Sequence, residues 1–314
     1  MTLPVDDRPS ETTVATGDQW VIGHGHQRAV VTEVGATLRS FTSHDRPVVD
    51  GFGPDERSHG GRGQILAPWP NRLGGGNYTF QGTEAQAPLD EVARGNAIHG
   101  LVRWLPWRMV GRAQNRVSLA CVLRPTPAYP FALGLEVEYR LGRTGLTVTT
   151  DAENRGEVDL PFGLGFHPYL TVGTPTVDQA RLRVPAATRL VTDDRGLPTG
   201  RVPVRGTELD FADGRPIGQT VLDTAFGGLK RDDDGRARVD LDAADGSRGV
   251  TLWMDERFPW VMVYSGDTQP AGDRRRAVAV EPMTCPPDAL RTGDDLVVLA
   301  PGARWTGVWG ITPR

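Results

Sequence analysis

Two ionisable residues occur in apolar stretches, and together their side chains suit proton transfer. His167 lies in the segment GLGFHPYL, and Glu281 ends the apolar run AVAV. A buried carboxyl group without a partner is costly, so it takes up a proton or finds hydrogen-bond donors, and its pKa shifts. One group that accepts a proton and one that donates it could serve two oxygens of the same substrate. The alternative for His167 is a core histidine held by one backbone partner.

Three further segments place polar residues in apolar or Gly/Pro surroundings. Asn71 and Arg72 follow Pro-Trp-Pro, His99 lies in IHGL, and Asp223 follows Val-Leu. The proline before Asn71 restricts the local backbone, which favours a fixed side-chain direction. Each residue also has a structural interpretation: a surface arginine before a hairpin turn, an isolated structural histidine, or an aspartate that caps a turn. The residues alone leave these alternatives open.

Other kinds of catalysis lack the residues that they need. The sequence has no G-x-S-x-G motif for a serine nucleophile, and no base is evident beside Cys285. The glycine run after Arg72 is not followed by Lys-Ser or Lys-Thr, so it is not a phosphate-binding loop. In GHGH, His24 and His26 would share one face of a strand, yet no carboxylate or third histidine follows at ligand spacing. We therefore expect no metal ion.

The elements that must position these residues are predicted to be strands. RVSLACVL (116–123) and LEVEYRL (135–141) alternate apolar and polar residues, which is typical of half-buried antiparallel strands. Similar runs are AVVTEV, VTLWMD, WVMVYS, AVAVE, LVVL and RWTGVWGI. The chain has 39 Gly and 25 Pro, and it shows no amphipathic helix of more than two or three turns. The pattern predicts an all-β sandwich or barrel.

No linker divides the chain, so we expect one domain over residues 16–314 after a disordered tail at 1–15. Polar or glycine-rich loops are expected at 43–63, 84–96 and 266–276. Loops on a rigid β scaffold are the usual carriers of binding sites, so these three are the candidates here.

Composition argues against several classes of partner. The net charge of −4 disfavours nucleic acid and anionic membrane surfaces, which both require a basic face. No run approaches the roughly 18 apolar residues of a membrane span. The N-terminus lacks the basic and apolar regions of a secretory signal, and the two distant cysteines do not make a disulfide framework. We expect a cytoplasmic protein, either a monomer or a homodimer.

Five segments, in order, resemble the aldose 1-epimerase (mutarotase) family. They are PWPNRLGGGNYTFQG, IHGLVR, GFHPYL, LDTAF and VEPMTCPPDAL, and the resemblance runs from about residue 29 to the C-terminus. It implies a large antiparallel β-supersandwich of the galactose mutarotase type, with few short helices. It also implies that the partner is a small monosaccharide, that the α and β anomers of a free aldose are interconverted, and that no cofactor takes part.

The resemblance further implies residue roles. His167 corresponds to the family's general acid and Glu281 to its general base. Glu281 would take the proton of the C1 hydroxyl while His167 protonates the ring oxygen, and the open aldehyde would rotate and reclose. The sugar-binding positions correspond to Arg72, His99 and Asp223, with Asn71 beside them.

Two accompanying expectations concern the surroundings of this pair. His167 should be protonated at rest, supported by a neighbouring carboxylate such as Asp223 or Glu281. A tryptophan could stack on a face of the sugar, namely Trp69, Trp104 or Trp107, with the alternative that RWLPW belongs to the core.

Some features leave the substrate open. Met262 stands where hexose mutarotases tend to carry a polar amide, and EPMTCPPDAL varies the family's Glu-Thr-Gln form. One alternative is a hexose-6-phosphate 1-epimerase, for which Arg62, Arg72 and Arg103 are available, although PWPNR favours an unphosphorylated sugar. Another alternative is a non-catalytic sugar-binding protein on the same scaffold, which could lack either member of the acid–base pair.

Overall fold

The computed structural model describes residues 14–314, and nearly all of their regular secondary structure is β-strand. The strands are β1 (Gln19–His24), β2 (Gln27–Thr32), β3 (Leu38–Ser43), β4 (Arg46–Pro47), β5 (Ile65–Leu66), β6 (Arg72–Gly74), β7 (Asn77–Phe80), β8 (Thr83–Gln86), β9 (Asn96–Ile98), β10 (Arg108–Ala113), β11 (Arg116–Leu123), β12 (Leu133–Gly142), β13 (Gly145–Asn154), β14 (Leu160–Phe162), β15 (Gly165–Phe166), β16 (Tyr169–Leu170), β17 (Arg181–Arg183), β18 (Ala186–Thr192), β19 (Pro198–Pro203), β20 (Arg215–Pro216), β21 (Asp223–Leu229), β22 (Ala237–Asp242), β23 (Gly249–Met254), β24 (Trp260–Tyr264), β25 (Val278–Met283), β26 (Val297–Leu299) and β27 (Arg304–Pro313). The helical elements are the 3₁₀ turns Val92–Arg94 and Val177–Gln179 and the short helix α1 (Ala289–Thr292).

The predicted all-β class is confirmed, and the alternating runs form the strands expected of them. In β12, Val137 and Tyr139 are buried while Glu136 and Arg140 are exposed. This strand pairs with β11 on one side and β13 on the other, and both pairings are antiparallel. One face of the strand therefore packs on the core and the other meets water, which explains the period of two.

Two large antiparallel sheets carry most of the strands. The nine-stranded sheet has the order β10-β11-β12-β13-β27-β23-β22-β17-β20. The eight-stranded sheet has the order β19-β18-β21-β24-β25-β15-β5, and β16 also pairs with β25. A four-stranded sheet, β1-β2-β3-β4, and three two-stranded pairs, β14-β26, β6-β9 and β7-β8, complete the described part.

The two large sheets pack face to face through one hydrophobic core. Phe166 of the eight-stranded sheet contacts Trp309 of the nine-stranded sheet, with ring centroids 4.9 Å apart. Val278 and Val280 of β25 belong to the same core. The opposite face of β25 is buried as well, because Ala279 and Met283 pack in smaller clusters there. This burial of both faces explains why AVAV lacks alternation.

The single-domain boundary at 16–314 stays a prediction, and residues 1–13 of the expected tail lie outside the described residues. Among residues 14–314, no helix is long and apolar enough to cross a membrane.

Candidate active site

Glu281 and His167 meet on the face of the eight-stranded sheet that points away from the main core. Glu281 follows Val280 in β25, so their side chains point to opposite faces. The backbone N–H of His167 donates to Gln64 O (3.1 Å), and its carbonyl accepts from Gly63 N (3.0 Å). The imidazole Nε2 lies 3.3 Å from Glu281 Oε1, and the two side chains are 6% and 2% exposed. The pair is thus in direct contact and shielded from water.

Burial opposes a charge on either member of the pair. It raises the pKa of Glu281 well above the ordinary value, and Asp223 adds to this while Arg72 opposes it. Burial lowers the pKa of His167 to about 3, and the positive charge of Arg62 acts in the same direction. Burial therefore favours the form of the pair that carries no charge, with a neutral imidazole and a protonated carboxyl group. The expectation of a protonated His167 at rest is wrong, because the cost of burying an imidazolium exceeds what the neighbouring groups offset.

Asn71 forms a corner that joins Arg72 to His99. Its φ of 55° is a left-handed conformation that asparagine tolerates better than most residues. Its Oδ1 accepts from the Arg72 N–H at 2.9 Å, and its carbonyl accepts from the His99 N–H at 2.9 Å. Arg72 then begins β6, which pairs with β9. Asn71 therefore sets the direction in which Arg72 leaves the turn.

The Arg72 guanidinium lies between two carboxylates. Its Nε donates to Glu91 Oε2 at 3.0 Å, and its Nη2 lies 3.5 Å from Asp223 Oδ2. Asp223 begins β21, and its side chain is 38% exposed, so it lies at the mouth of the site. Burial alone would lower the pKa of Arg72, but Asp223 and Glu91 outweigh it and the net shift is upward. The structural alternatives, a surface arginine and a turn-capping aspartate, do not describe these residues, because Arg72 is buried and Asp223 is its ion-pair partner.

His99 lies against His167 in a neutral state. Its φ is 65°, and the two imidazole rings meet edge to face at 5.3 Å. Burial lowers the pKa of His99 well below its ordinary value, and the neighbouring His167, Arg103 and Arg72 act in the same direction. A neutral imidazole offers one donor and one acceptor nitrogen, which suits a hydroxyl group.

A cavity of about 430 Å³ brings all six predicted residues together. They are Asn71, Arg72, His99, His167, Asp223 and Glu281. Three polar atoms of these residues are buried and have no hydrogen-bond partner within residues 14–314: Glu281 Oε2, His167 Nδ1 and His99 Nδ1. A concave site with several convergent polar side chains is typical of a binding site for a small polar ligand.

Sequence reasoning missed several residues of the cavity wall, but it predicted the loops that carry most of them. The missed residues include Gly60 and Gly61 from loop 43–63, Glu91 and Arg94 from loop 84–96, and Thr268 and Gln269 from loop 266–276. Each loop is remote from the others in sequence, so only the fold shows which of its polar residues face the cavity.

The expected tryptophan platform is absent from the cavity wall described by the structure. Trp69 and Trp107 are core residues, 2% and 1% exposed. Trp104 is 44% exposed and lies between the guanidinium groups of Arg57 and Arg103, at 5.5 and 5.3 Å. The aromatic rings that line the cavity are Tyr169 and Tyr264.

Met262 contributes an apolar neighbour to the acid–base pair. It pairs in register with Glu281 across β24 and β25, so both side chains lie on the same face. It packs with Ala225, Trp260 and Met283 in a small buried cluster. A methionine at this position adds to the desolvation of the carboxyl group, whereas a polar amide would offer it a hydrogen bond.

The remaining sequence candidates lie away from this chemistry. His24 ends β1 and His26 lies in the following turn, stacked on His44 at 4.7 Å, so the two histidines do not share a strand face. Residues 14–314 contain no group of three or more His, Cys, Asp or Glu placed to hold a metal ion. Cys285 is buried, and burial raises its pKa to about 12, which makes its thiol a poor nucleophile.

These features define a class of protein: an all-β sandwich with a polar cavity built around a buried carboxyl–imidazole pair. The family model described as Aldose 1-epimerase matches residues 18–312, and the chain belongs to that family.

Relatives and solved structures agree with this membership. The chain is 34% identical over 288 residues to a protein of Escherichia coli K12 named "Uncharacterized protein YihR", covering 91% of this chain and 90% of the relative. A putative aldose 1-epimerase from E. coli K12 has a similar structure, with a TM-score of 0.80, 22% identity and coverage of 95% and 99% of the two chains. A GalM/aldose epimerase homologue from C. elegans has a TM-score of 0.84, 19% identity and coverage of 95% and 98%. The galactose mutarotase-like fold is therefore confirmed.

Proposed function

We propose that this protein is an aldose 1-epimerase that interconverts the α and β anomers of a free, uncharged aldose such as galactose or glucose. The observation that carries the proposal is the 3.3 Å contact between His167 Nε2 and Glu281 Oε1 within a polar cavity. The reaction needs one group that removes a proton from the C1 hydroxyl and one that protonates the ring oxygen. A buried carboxyl–imidazole pair supplies both, and an acid or base placed in this way typically contributes about 10²–10⁴-fold.

The proton count of the pair suits a reversible reaction. Ring opening uses the form with an ionised Glu281 and a protonated His167, and it leaves both groups neutral. The neutral form, which burial favours, is the one that closes the ring again: Glu281 returns a proton to the aldehyde oxygen and His167 accepts one from the C5 hydroxyl. The two forms carry the same number of protons, so a turnover needs no exchange with solvent. The positive charge of Arg72 lowers the pKa of Glu281 and so favours the form that opens the ring.

The groups around the pair would orient the sugar. The Arg72 side chain donates hydrogen bonds, the carboxylate of Asp223 accepts them, and neutral His99 does both. Together they suit sugar hydroxyl groups, which donate as well as accept. Asn71 contributes mainly through its backbone and the corner that it forms. This assignment extends the family's sugar-binding positions to this chain.

The charges of the cavity favour an uncharged sugar over a sugar phosphate. Arg62 is 1% exposed, pairs with Asp50 at 3.1 Å and packs on Tyr169, so it belongs to the structural network behind the site. Arg103 pairs with Asp90. Arg72 is also held by carboxylates, and Arg94, the third guanidinium of the cavity wall, lies 3.9 Å from both Glu91 and Asp223. Each guanidinium in the described cavity wall therefore has a carboxylate neighbour, which disfavours a dianion. The non-catalytic alternative is disfavoured because both members of the pair are present and in contact.

The proposal includes a cytoplasmic location and leaves the protein as a monomer or homodimer. Both cysteines are free, which is consistent with a reducing compartment. Cell fractionation and size-exclusion chromatography with light scattering would test these two points.

NMR anomer exchange, supported by polarimetry, tests the proposed reaction on galactose, glucose, xylose, arabinose and glucose 6-phosphate. We expect exchange of at least one neutral aldose and at least about tenfold lower kcat/KM for glucose 6-phosphate, a difference of about 1.4 kcal/mol. If the protein exchanges the anomers of glucose 6-phosphate and of no neutral aldose, its substrate is a sugar phosphate instead. Sugar binding without exchange would support the non-catalytic alternative.

Variants of the pair test the two roles. Glu281→Gln and His167→Asn should each lower kcat by at least about 10²-fold, since each removes one acid–base group. Glu136→Gln, an exposed strand carboxylate, and His24→Asn, an exposed histidine, serve as matched controls. Near-native exchange in a folded variant of either pair member would show that its assigned role is wrong.

A further inference from the structure

The Arg72 guanidinium is enclosed on three sides, and Glu91 provides the tightest of these contacts. Arg72 Nε lies 3.1 and 3.0 Å from the two carboxylate oxygens of Glu91. Nη2 points toward Asp223 at the looser distance of 3.5 Å. On the third side, Gly196 approaches so closely that an alanine Cβ would lie 2.8 Å from Nη1. Glu91 therefore restrains the guanidinium at the end nearest the side-chain stem.

The loop that presents Glu91 is itself anchored. Glu91 and Asn96 exchange two backbone hydrogen bonds, at 3.1 and 3.3 Å, across the 3₁₀ turn between them. Asn96 is fully buried, and its Nδ2 donates to Glu91 Oε2 at 2.8 Å. Arg195, from the hairpin between β18 and β19, donates to the carbonyls of Arg94 (2.9 Å) and Gly95 (2.6 Å). The carboxylate is thus held by a fixed loop and by a side-chain donor other than Arg72.

We propose that Glu91 is a positioning residue for the reaction: it sets the orientation of Arg72, which in turn holds a sugar hydroxyl group. This inference rests on the proposed function and adds to it a residue that the family resemblance did not supply. An arginine side chain has several rotatable bonds, and fixing it before the sugar arrives removes an ordering cost from binding. Glu91 holds the Nε end of the guanidinium, since the one Nε–H is shared between both carboxylate oxygens, and the Asp223 contact at Nη2 limits rotation of the group.

Two other interpretations of Glu91 make different predictions. If Glu91 were a proton-transfer group, its loss would lower kcat by orders of magnitude, yet its described contacts are to Arg72, Asn96 and Arg94 and not to His167 or Glu281. If it were only a structural ion pair, its loss would lower stability without changing the apparent affinity for sugar. A positioning role predicts a change in KM that depends on the presence of Arg72.

The test is a double-mutant cycle of Glu91→Gln and Arg72→Ala, read by NMR anomer exchange on the best neutral aldose. We expect Glu91→Gln to raise KM by about tenfold and to lower kcat by less than about threefold. In the Arg72→Ala background, Glu91→Gln should change KM by less than about twofold, because its target is gone. Glu84→Gln, an exposed carboxylate on β8, should match the wild type in both constants.

A second variant keeps the test informative if Glu91→Gln lowers the folded fraction. Arg195→Lys leaves Glu91 in place but replaces the fork that anchors its loop, and it should raise KM in the same direction. An unchanged KM in folded Glu91→Gln, or equal effects with and without Arg72, would overturn the positioning role while leaving the proposed function intact. A wild-type protein that neither binds nor exchanges any sugar would overturn the proposed function itself.

Discussion

At the scale of single residues, the proposed proton transfers by His167 and Glu281 predict the pH range of activity. The reaction needs a single proton on the pair. Activity is therefore lost when a second proton binds to His167, and also when the single proton leaves Glu281. Burial lowers the pKa of the first group to about 3 and raises that of the second well above its ordinary value. The two limbs belong to the coupled pair rather than to separate groups.

We therefore predict a broad plateau in kcat/KM, with an acid limb near the low pKa of His167 and a basic limb well above the ordinary carboxyl value. The measurement is anomer exchange against pH, corrected for the uncatalysed reaction. Glu281→Gln should lose the basic limb along with most of its activity. An acid limb centred near the ordinary glutamate pKa of about 4.3 would show that Glu281 ionises like a solvated group.

The same shift predicts a stability effect. Because the folded pKa of Glu281 lies above the unfolded value, its contribution to stability is fully present below a pH of about 4.3 and is lost as pH rises toward the folded pKa. Glu281→Gln removes this loss, so the variant should gain stability relative to the wild type as pH rises.

The measurement is the Tm of both proteins at pH 5 and pH 8. We expect the difference to grow by at least about 2 °C, the shift that about 1 kcal/mol gives in a domain of this size. Glu136→Gln, exposed on β12, should show no such growth. A constant difference between the two pH values would mean that burial does not shift the pKa of Glu281 upward.

At the scale of elements, a glycine turn in loop 43–63 sets the place of His167. Gly61 has a φ of +80°, and an added Cβ would lie 2.6 Å from His167 Cδ2. Gly82 has almost the same φ, +81°, with open space around its Cβ direction. The two positions therefore carry similar backbone strain on substitution and differ only in the contact with the imidazole.

We predict that Gly82→Ala lowers Tm through backbone strain alone, since alanine at positive φ costs about 1 kcal/mol, and that Gly61→Ala lowers it further because of the contact with His167. Only Gly61→Ala should also lower kcat, by at least about tenfold, because His167 must move from its contact with Glu281. Tm and anomer exchange on both variants decide this. Normal kcat in Gly61→Ala would mean that the imidazole position is not critical.

The strands were largely predictable from the sequence, but the contacts between residues of different strands and loops were not. Alternation of apolar and polar residues predicted strands such as β11 and β12, because one face of a half-buried strand packs on the core and the other meets water. It could not predict the protonation of His167, which depends on burial by segments distant in the chain. It also could not show that Trp104 stacks between arginines or that Glu91 holds Arg72, because both contacts form only between loops that the fold brings together.

At the scale of the whole molecule, the chemistry is expected to be complete within one chain and without an added ion. Ring opening and closure need two proton transfers, and the buried pair supplies both. We predict that exchange activity survives dialysis against EDTA, with kcat within about twofold of the untreated enzyme. Loss of activity on chelation, restored by zinc, would show that a metal takes part.

The burial of β25 on both faces has a consequence for how the site moves. Its neighbours are β24 on one side and β15 and β16 on the other, so Glu281 lies in the interior of a sheet and not on a loop. Backbone amides in such strands exchange with solvent deuterium only through openings close to global unfolding. The backbone of the proposed base should therefore open only when the protein unfolds, whereas the amides of the three loops should exchange far sooner.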